Sequence, residues 1–291
     1  MREQRSETVL GRPAEPLRPY VERYFGYRLT GFPPGLHRGL PAPRPTFIVS
    51  IGDAIDVVEQ VDPSQAPDRY RCVVGGLQDA PALIAHHGDQ EGVAIDLTPL
   101  GCRTLFGMPA RAMWNLSLEL SEIAQGAGDE LWERLQLART WPERFAACDA
   151  VLGRLAARHE ARATLAPELS RSWHLLESTH GALEVGALAS EVGWSRQHLR
   201  RRFADEFGLP PKLAARVIRF DRARRMLEAS GHVTIGEVAA ICGYYDQPHM
   251  DREFAELAGC SPSELLAGDV PYVQDVEVGP GERREVPLEL P

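Results

Sequence analysis

Residues 185–211 read VGALASEVGWSRQHLRRRFADEFGLPP, and residues 235–262 read IGEVAAICGYYDQPHMDREFAELAGCSP. The two stretches are versions of one pattern. The aligned pairs are Leu188 with Val238, Ala189 with Ala239, Gly193 with Gly243, Arg201 with Arg252 and Phe203 with Phe254. Aligned residues of the two copies are 50 positions apart up to the pair Gly193 and Gly243, and 51 positions apart at Arg201 and Arg252 and beyond. We therefore expect a duplicated unit, with one residue inserted early in the last helix of the second copy.

Each copy has the residues that a helix-turn-helix requires. Ala189 and Ala239 are small enough for a second helix to cross the first closely. Gly193 and Gly243 accommodate a positive φ in the turn at no steric cost. Ser195 is a good N-cap for the helix that follows. We predict two helix-turn-helix units, at about 184–207 and 234–258.

Apolar spacing predicts which residues of each unit are buried. Pro248 breaks a helix interior, but here it falls in the first turn, where its missing N–H costs little. The expected core residues are Val185, Leu188, Val192, Leu199 and Phe203 in the first unit and Ile235, Val238, Cys242, Met250 and Phe254 in the second.

Residues 210–231, PPKLAARVIRFDRARRMLEASG, connect the two units. An apolar face of Leu213, Val217, Phe220 and Leu227 at helical spacing predicts one long helix, which Gly231 would stop. Such a helix is a core element lined by solvated arginines. In this position it can also serve as a rigid spacer. As a spacer it would hold two recognition helices about 34 Å apart, one turn of DNA.

Together, the double unit, the long linking helix and the run GYYDQPHMDREFAELAGCSP resemble the DNA-binding domain of AraC/XylS transcription regulators. The resemblance covers about 100 residues, since two motifs match in order and spacing. It implies a seven-helix domain at 167–268, transcriptional control that is usually activation, and contact with RNA polymerase. The runs RYFGYR, LTPLGCRTLFGMPA and WNLSLELSEI are also similar to the sensor half of a less characterised subgroup.

The charge of the chain is unevenly distributed. The net charge is −9, which by itself does not suggest a nucleic-acid binder. Between residues 196 and 225, however, ten basic residues stand against three acidic ones, a local charge of about +7 by ordinary ionisation states. Binding responds to the local field, so this basic stretch is compatible with DNA.

Outward positions near the start of each recognition helix are the expected DNA contacts. They are Ser195, Arg196, Gln197, Arg200 and Arg201 in the first unit, Asp246, Gln247, His249 and Arg252 in the second, and Lys212 on the linking helix. Arginine suits the paired acceptors of guanine, and glutamine suits adenine, which presents one acceptor and one donor. Arg200 is the strongest candidate to read a base. For Arg201 and Arg252 a structural ion pair is the alternative.

Several of these assignments stay open at the level of sequence. Asp246 either accepts a hydrogen bond from a cytosine amino group or caps its helix. Lys212, Arg216 and Arg219 are either phosphate contacts or a solvated face. Tyr244 is expected in the core.

The N-terminal half has a different sequence pattern from the helical C-terminal half, which predicts an α+β protein of two domains. Residues 1–45 are rich in proline and glycine, with one amphipathic stretch at Leu17–Arg28. From Thr46 short β-type runs predict an antiparallel barrel or sandwich, and helices at Asp129–Ala138 and Pro142–Glu160 close it. We expect a sensor or oligomerisation domain at 1–163, a boundary near Ala161–Pro167 and a flexible acidic tail at 269–291.

No motif for metal or catalytic chemistry stands out in the N-terminal half. His37 is expected in a loop, and the adjacent His86 and His87 point to opposite faces of a strand, so only one of them can line a barrel. A metal-binding barrel needs a spaced His-x-His with a carboxylate, and ordinary histidines are the favoured alternative. GxSxG, HExxH and glycine-rich phosphate loops are absent from the sequence, so we predict no enzyme, no metal and no cofactor.

Five widely spaced cysteines without a CxxC pair indicate buried thiols rather than disulfides or zinc. A polar N-terminus and the lack of a long apolar run predict a cytoplasmic protein with no membrane contact.

Three hypotheses follow. The first is a one-component regulator whose N-terminal domain senses a small effector or a partner. The second is an enzyme with an appended DNA-binding domain. The third is a ligand-independent regulator whose N-terminal domain only forms a homodimer, for which the apolar face of Pro142–Glu160 is available. A sizeable apolar pocket with a few inward polar groups in residues 46–115 would distinguish the first from the third.

Overall fold

A computed structural model describes residues 3–159, 165–229 and 233–267. The strands are β1 Arg5–Gly11, β2 Val21–Thr30, β3 Gly35–Gly39, β4 Thr46–Ser50, β5 Ile55–Glu59, β6 Asp68–Tyr70, β7 Cys72–Gly75, β8 Ala82–His86, β9 Gln90–Leu97 and β10 Ser117–Glu119. The helices are α1 Gly101–Phe106, α2 Leu120–Ile123, α3 Ala127–Leu137, α4 Trp141–His159, α5 Pro167–Ser178, α6 Val185–Glu191, α7 Arg196–Phe207, α8 Pro211–Ala229, α9 Ile235–Ile241, α10 Gln247–Ala258 and α11 Pro262–Leu266.

Two antiparallel sheets form the N-terminal half, so the predicted β-rich domain is confirmed. The larger sheet has six strands in the order β1-β2-β9-β4-β7-β10, and the smaller has four in the order β3-β8-β5-β6. The two sheets are separate in strand pairing and do not close into one barrel over the described residues. Each of the short β-type runs predicted from Thr46 onward overlaps at least one strand, from β4 to β9.

Three strands precede Thr46, which the sequence analysis did not predict. The amphipathic stretch at Leu17–Arg28 lies largely in β2, an inner strand between β1 and β9. Residues Tyr24 to Tyr27 of this strand are buried in succession, because side chains pack on both of its faces. A strand covered on both sides loses the alternating pattern that sequence reasoning uses to find strands.

Helix α4 closes one face of the larger sheet. Its rings approach two glycines of the strands so closely that an added Cβ would lie 2.5 Å from Phe145 at Gly11 and 2.5 Å from Trp141 at Gly26. The apolar face proposed for dimerisation, Phe145, Cys148, Val151, Leu152 and Leu155, is fully buried within the chain. That face closes the domain, which is one of the two uses that the sequence allowed for it.

Seven helices, α5 to α11, follow within residues 165–229 and 233–267, as the resemblance implied. The first helix-turn-helix (α6 and α7) shares a core with the N-terminal sheets through Leu199, Phe203 and Phe207. The second (α9 and α10) packs on α8 around Phe220 and Phe254, and Leu40 of the N-terminal half joins this core. The C-terminal helices are therefore packed against the N-terminal domain at both units.

Other expectations concern the ends of elements and the thiols. The five cysteines are buried and unbridged, as predicted. The stop at Gly231, most of the boundary near Ala161–Pro167 and the tail at 269–291 lie outside the described residues. In the part of the chain that the structure describes, no helix is both long and apolar enough to span a bilayer.

Candidate nucleic-acid interface

The two turns have the same backbone geometry. Gly193 has a φ of 72° and Gly243 a φ of 76°, which confirms the reason for glycine at both positions. After each glycine, the next amide donates 2.9 Å back to the crossing alanine of the preceding helix, Trp194 to Ala189 and Tyr244 to Ala239. The duplicated sequence pattern thus produces a duplicated turn.

The inserted residue of the second unit is Tyr245, and it lies in the turn rather than in the last helix. Trp194 and Tyr244 still correspond at an offset of 50, whereas the helix N-caps are Ser195 and Asp246 at an offset of 51. The expected position early in the helix is therefore wrong, because the sequence alignment had no cap geometry to fix it. Tyr245 is 92% exposed, so the insertion adds an exposed aromatic side chain to one turn only.

Both N-caps bond their helices as expected. The Ser195 hydroxyl accepts from the His198 amide at 3.2 Å, and the Asp246 carboxylate accepts from the His249 amide at 2.8 Å. Pro248 lies in the first turn of α10, as predicted. The capping role of Asp246 is thus confirmed, and a carboxylate at this end also complements the helix dipole.

The inward and outward faces of the recognition helices separate as predicted. The inward residues Leu199, Phe203, Met250 and Phe254 are fully buried. The outward candidates Ser195, Arg196, Gln197, Arg200, Arg201, Lys212, Asp246, Gln247 and Arg252 are exposed, and His249 is half-buried. The half-burial of His249 arises because its ring packs edge-on against Tyr244 and its Nδ1 accepts from the Tyr245 amide at 3.3 Å.

A cleft of about 980 Å³ lies between the two units. Its basic residues come from three helices and are Arg196, Lys212, Arg216, Arg219 and Arg252, facing Glu184, Glu253 and Glu256. Tyr245 and His249 line the same cleft from the second unit. A second groove, of about 510 Å³, has Arg196, Gln197, Arg200 and Lys212 in its wall. Six of the ten predicted DNA contacts therefore line these two surfaces, and Ser195, Arg201, Asp246 and Gln247 do not.

A glycine in each first helix faces the first residue of the recognition helix. A Cβ on Gly186 would lie 2.5 Å from the guanidinium of Arg196, and a Cβ on Gly236 would lie 3.7 Å from the amide oxygen of Gln247. Gly186 and Gly236 correspond at the 50-residue offset. Sequence reasoning missed this pair, although the repeat itself carried the signal.

Arg216 and Arg219 of α8 are held by Glu253 of α10. Glu253 is 3% exposed and accepts from Arg216 Nε at 2.9 Å, from Arg219 at 2.8 Å and from the Tyr244 hydroxyl at 2.9 Å. Burial by itself would raise the pKa of the Glu253 carboxyl, but the hydrogen bonds and charges of the two arginines lower it. Tyr244 is buried, as predicted. Of the three phosphate candidates on α8, only Lys212 is neither paired nor buried among the described residues.

The arginines of α7 differ from those of α8 in exposure and in ion pairing. Arg200, Arg201 and Arg202 are exposed, and none has an ion-pair partner within the described ranges. Arg252 donates only to the carbonyl of Pro248, at 3.2 Å, over the same ranges. Within the described residues, Arg201 and Arg252 therefore form no structural ion pair, and both side chains are exposed to solvent.

The acidic end of α7 contacts the N-terminal domain. Arg103 of α1 bonds Glu206 at 2.7 and 2.6 Å, and Arg111 lies 3.6 Å from Asp205. At the end of α7, Gly208 has a φ of 87°, and a Cβ there would lie 2.8 Å from Trp114. One helix thus presents arginines to solvent and glutamate to the N-terminal domain.

A buried carboxylate ties the linking helix to the same domain. Asp221 of α8 is 1% exposed, accepts a hydrogen bond from Arg224 at 3.0 Å and forms an ion pair with Arg225 at 2.7 Å. Burial alone would raise the pKa of Asp221, but the charges of Arg224, Arg225 and Arg44 lower it. Since Arg44 precedes β4, this charge cluster spans the two halves. Asp221 is already included in the +7 counted along the sequence, and three carboxylates from outside that stretch, Glu228, Glu253 and Glu256, offset a further part of it.

The two halves of the chain match two different protein families. Residues 188–268 match the family described as a helix-turn-helix domain, and residues 11–119 match a domain of unknown function, DUF6597. Over 84 residues the chain is 38% identical to the HTH-type transcriptional regulator Rv1931c of Mycobacterium tuberculosis, which is 29% of this chain and 32% of that protein. The C-terminal region is an AraC-type helix-turn-helix domain.

A second relative is also an HTH-type transcriptional regulator. The HTH-type transcriptional regulator GbdR of Pseudomonas aeruginosa is 30% identical over 115 residues, 39% of this chain and 31% of GbdR. The chain thus covers about a third of the length of either relative. The 1.65 Å structure of ToxT from Vibrio cholerae aligns over 91% of this chain and 99% of ToxT, with a TM-score of 0.50 and 12% identity. That likeness concerns the fold: a β-rich half followed by an AraC-type domain.

Proposed function

We propose that this protein is a one-component transcription regulator of a bacterium, which binds a specific DNA sequence through both helix-turn-helix units. The observation that carries the proposal is the set of exposed cationic side chains on α7, beside a cleft that residues of both units line. Exposed, unpaired guanidinium groups are suited to phosphates and to guanine edges. Ser195, Arg196, Gln197, Arg200, Arg201, Lys212, Asp246, Gln247, His249 and Arg252 are the proposed contacts.

The proposed regulation passes through the N-terminal domain, residues 1–163, to the DNA-binding domain, residues 167–268. The contacts of Arg103 with Glu206 and of Leu40 with the second core support this, because a change in the N-terminal domain would alter the position of both units. We infer a small effector as the input and RNA polymerase as a partner in activation, as the family resemblance implies. Since the target is bacterial DNA, we place the protein in the cytoplasm, and we propose no enzymatic activity.

The alternative with a purely dimerising N-terminal domain is less well supported. The apolar face of α4, its candidate dimer surface, is occupied by the domain's own core. A homodimer through another surface remains compatible with the proposed DNA binding, since two copies would bind two adjacent operators.

The test is selection of bound fragments from a random DNA pool by the full-length protein. We expect one motif with two blocks about ten base pairs apart, because two recognition helices on one face of DNA read successive major grooves. The Arg200→Ala variant should lose preference at one base, and Arg139→Ala, which removes an exposed arginine of the N-terminal half, should select the same motif as the unmodified protein. Failure of the unmodified protein to enrich any motif in modest salt would refute the proposed function.

A further inference from the structure

A cavity separates the two sheets of the N-terminal domain. It consists of two adjoining voids of about 50 and 70 Å³, which share His37, Ile48, Ile55 and Ile84 in their walls. The walls come from both sheets, with β2 and β4 on one side and β3, β5 and β8 on the other. We call it the inter-sheet cavity. The shared residues are three isoleucines and His37, and one buried polar group in the wall of the first void has no hydrogen-bond partner among the described residues.

His86 is that polar group. It is 6% exposed, it lines the first void, and neither of its ring nitrogens has a hydrogen-bond partner among the residues that the structure describes. Its neighbour His87 also borders this void but is exposed, so of the adjacent pair only His86 is buried. An unsatisfied donor and acceptor in an apolar interior are costly. A bound molecule that supplies both partners would remove that cost.

The expected loop position of His37 is wrong, and this correction defines the site. His37 lies in β3, which pairs antiparallel with β8 so that Gly35 is opposite His86 and His37 opposite Ile84. The two imidazole rings therefore lie on one face, 5.6 Å apart between centroids. Opposite His86, Gly35 has no side chain, and a Cβ there would lie 3.1 Å from His86 Nε2. The glycine leaves space beside the ring nitrogen.

Charge selects the class of ligand. Burial lowers the pKa of His37 to about 4, and burial with the charge of His87 lowers the pKa of His86, so both rings are neutral near pH 7. A neutral imidazole offers one donor and one acceptor. Asp53 and Asp89, which are exposed, lie in the wall of the same void and would repel an anion. No buried carboxylate lines either void among the described residues, so a buried cation would have no compensating charge. The complementary group is uncharged and both donates and accepts.

We propose that the inter-sheet cavity, at His86, is the effector site and that it binds a small uncharged molecule with an apolar body and one hydroxyl or amide group. The regulatory part of this assignment rests on the proposed DNA-binding function, whereas the binding part does not.

Strand β3 connects this cavity to the second helix-turn-helix. His37, Arg38, Gly39 and Leu40 all line the second void. Leu40 is buried in the core of the second unit with Phe220 and Phe254, and Arg38 Nε lies 3.8 Å from the position of a Cβ on Gly259, which ends recognition helix α10. Only Arg38 and Gly39 therefore separate His37 from Leu40 in the core of the second unit. A molecule that displaces β3 also displaces the second unit.

The binding test uses the full-length protein and three probes of similar size: benzyl alcohol, toluene and benzoate. We expect benzyl alcohol to bind in calorimetric titrations, and toluene and benzoate to bind about tenfold more weakly, since loss of one hydrogen bond or burial of a charge costs at least ~1.4 kcal/mol. His86→Phe should abolish the preference for benzyl alcohol, and His174→Gln, which changes an exposed histidine of α5, should not.

Because His86→Phe is a substitution in a packed interior, Gly35→Ala provides a second variant on the opposite strand. Its added methyl group would crowd His86 Nε2 and should weaken benzyl alcohol binding to the level of toluene. Equal binding of all three probes, or equal binding by both variants and the unmodified protein, would overturn the site.

The regulatory test measures affinity for the selected DNA with and without benzyl alcohol. We expect a change of about fivefold or more, the lower range of coupling between sites, and we expect Leu40→Ala or Arg38→Ala to reduce that change while benzyl alcohol still binds. Binding of the alcohol with unchanged DNA affinity would overturn the effector role alone. Failure to select any DNA would instead refute the proposed function and leave the binding result intact.

Discussion

Arg103 and Glu206 form a two-point ion pair that joins the N-terminal domain to the first recognition helix. Both nitrogens that take part, Nε and one Nη, lie 2.6 to 2.7 Å from the carboxylate oxygens. Glu206 is almost fully buried, whereas Arg103 is about one-third exposed. The pair lies at the end of α7 opposite the arginines that face solvent. The orientation of the first unit is thereby set by a residue outside the DNA-binding domain.

Arg103→Ala should loosen the contact between the domains. It leaves Glu206 buried without its cation, and we expect a loss of about 1–3 kcal/mol in the free energy of unfolding, at the lower side of the range for buried pairs because Arg103 is partly solvated. Urea denaturation measures this loss. Arg111→Ala is the matched control: its pair with Asp205 is long and exposed, so its effect should be about 0.5 kcal/mol or less. Similar losses for both variants would contradict the prediction.

Arg200→Ala should weaken binding to the selected operator by about 1–3 kcal/mol and relax preference at one base pair. The reason is that Arg200 is exposed, unpaired among the described residues, and lines a groove with Gln197 and Lys212. Fluorescence anisotropy with specific and random duplexes measures both effects, and Arg139→Ala serves as control. Equal losses on the two duplexes would show that Arg200 does not read a base.

Lys212→Ala should instead weaken binding to all sequences alike. An ammonium group at the start of the linking helix is suited to a phosphate rather than to a base edge. The dependence of log affinity on log salt should become shallower by about 0.9 for one lost phosphate contact. The salt slope of the variant against that of the unmodified protein is the measurement, and a base-selective loss with an unchanged slope would contradict the assignment.

Tyr245→Ala should reduce affinity for DNA and leave stability unchanged. The side chain is almost fully exposed, so the free energy of unfolding should change by no more than about 0.5 kcal/mol. Tyr245 borders the cleft between the units, and a tyrosine hydroxyl can donate to a phosphate, a contact of about 1 kcal/mol. Leu137→Ala, at an exposed apolar residue of α3, is the control. Unaltered DNA affinity would mean that the inserted residue only lengthens the turn.

Glu253→Gln should destabilise the protein at neutral pH by about 2 kcal/mol, because two arginines lose a buried charged acceptor. Since the folded state lowers the pKa of Glu253, its contribution is fully present above the unfolded pKa of about 4.3 and is lost as the pH falls through the lower folded value. The free energies of the variant and the unmodified protein should therefore converge below about pH 4.

Urea denaturation from pH 3 to pH 7 tests this convergence. Glu256→Gln is the control, since Glu256 is exposed and, among the residues that the structure describes, bonds only Arg216, and its effect should be small at every pH. A difference between the Glu253→Gln variant and the unmodified protein that is independent of pH would contradict the charge argument.

The sequence by itself determined the duplicated helix-turn-helix, the two turn glycines, the N-cap at Ser195, and the inward and outward faces of α7 and α10. These features depend on requirements a few residues apart: a positive φ, a capping oxygen and a helical period. Each requirement is met by a residue type at a fixed offset. One amino-acid sequence is therefore enough to identify these features.

Only the tertiary structure decided how the rest is used. β2 lost its alternating pattern because neighbours pack on both of its faces, and Tyr245 could be identified as the insertion only from cap geometry. His37 meets His86, and Arg103 meets Glu206, through strand pairing and domain packing across long stretches of chain. Such contacts follow from topology, which no local period encodes. The DNA-contacting surface is thus local in origin, and its connection to the inter-sheet cavity is a property of the assembled fold.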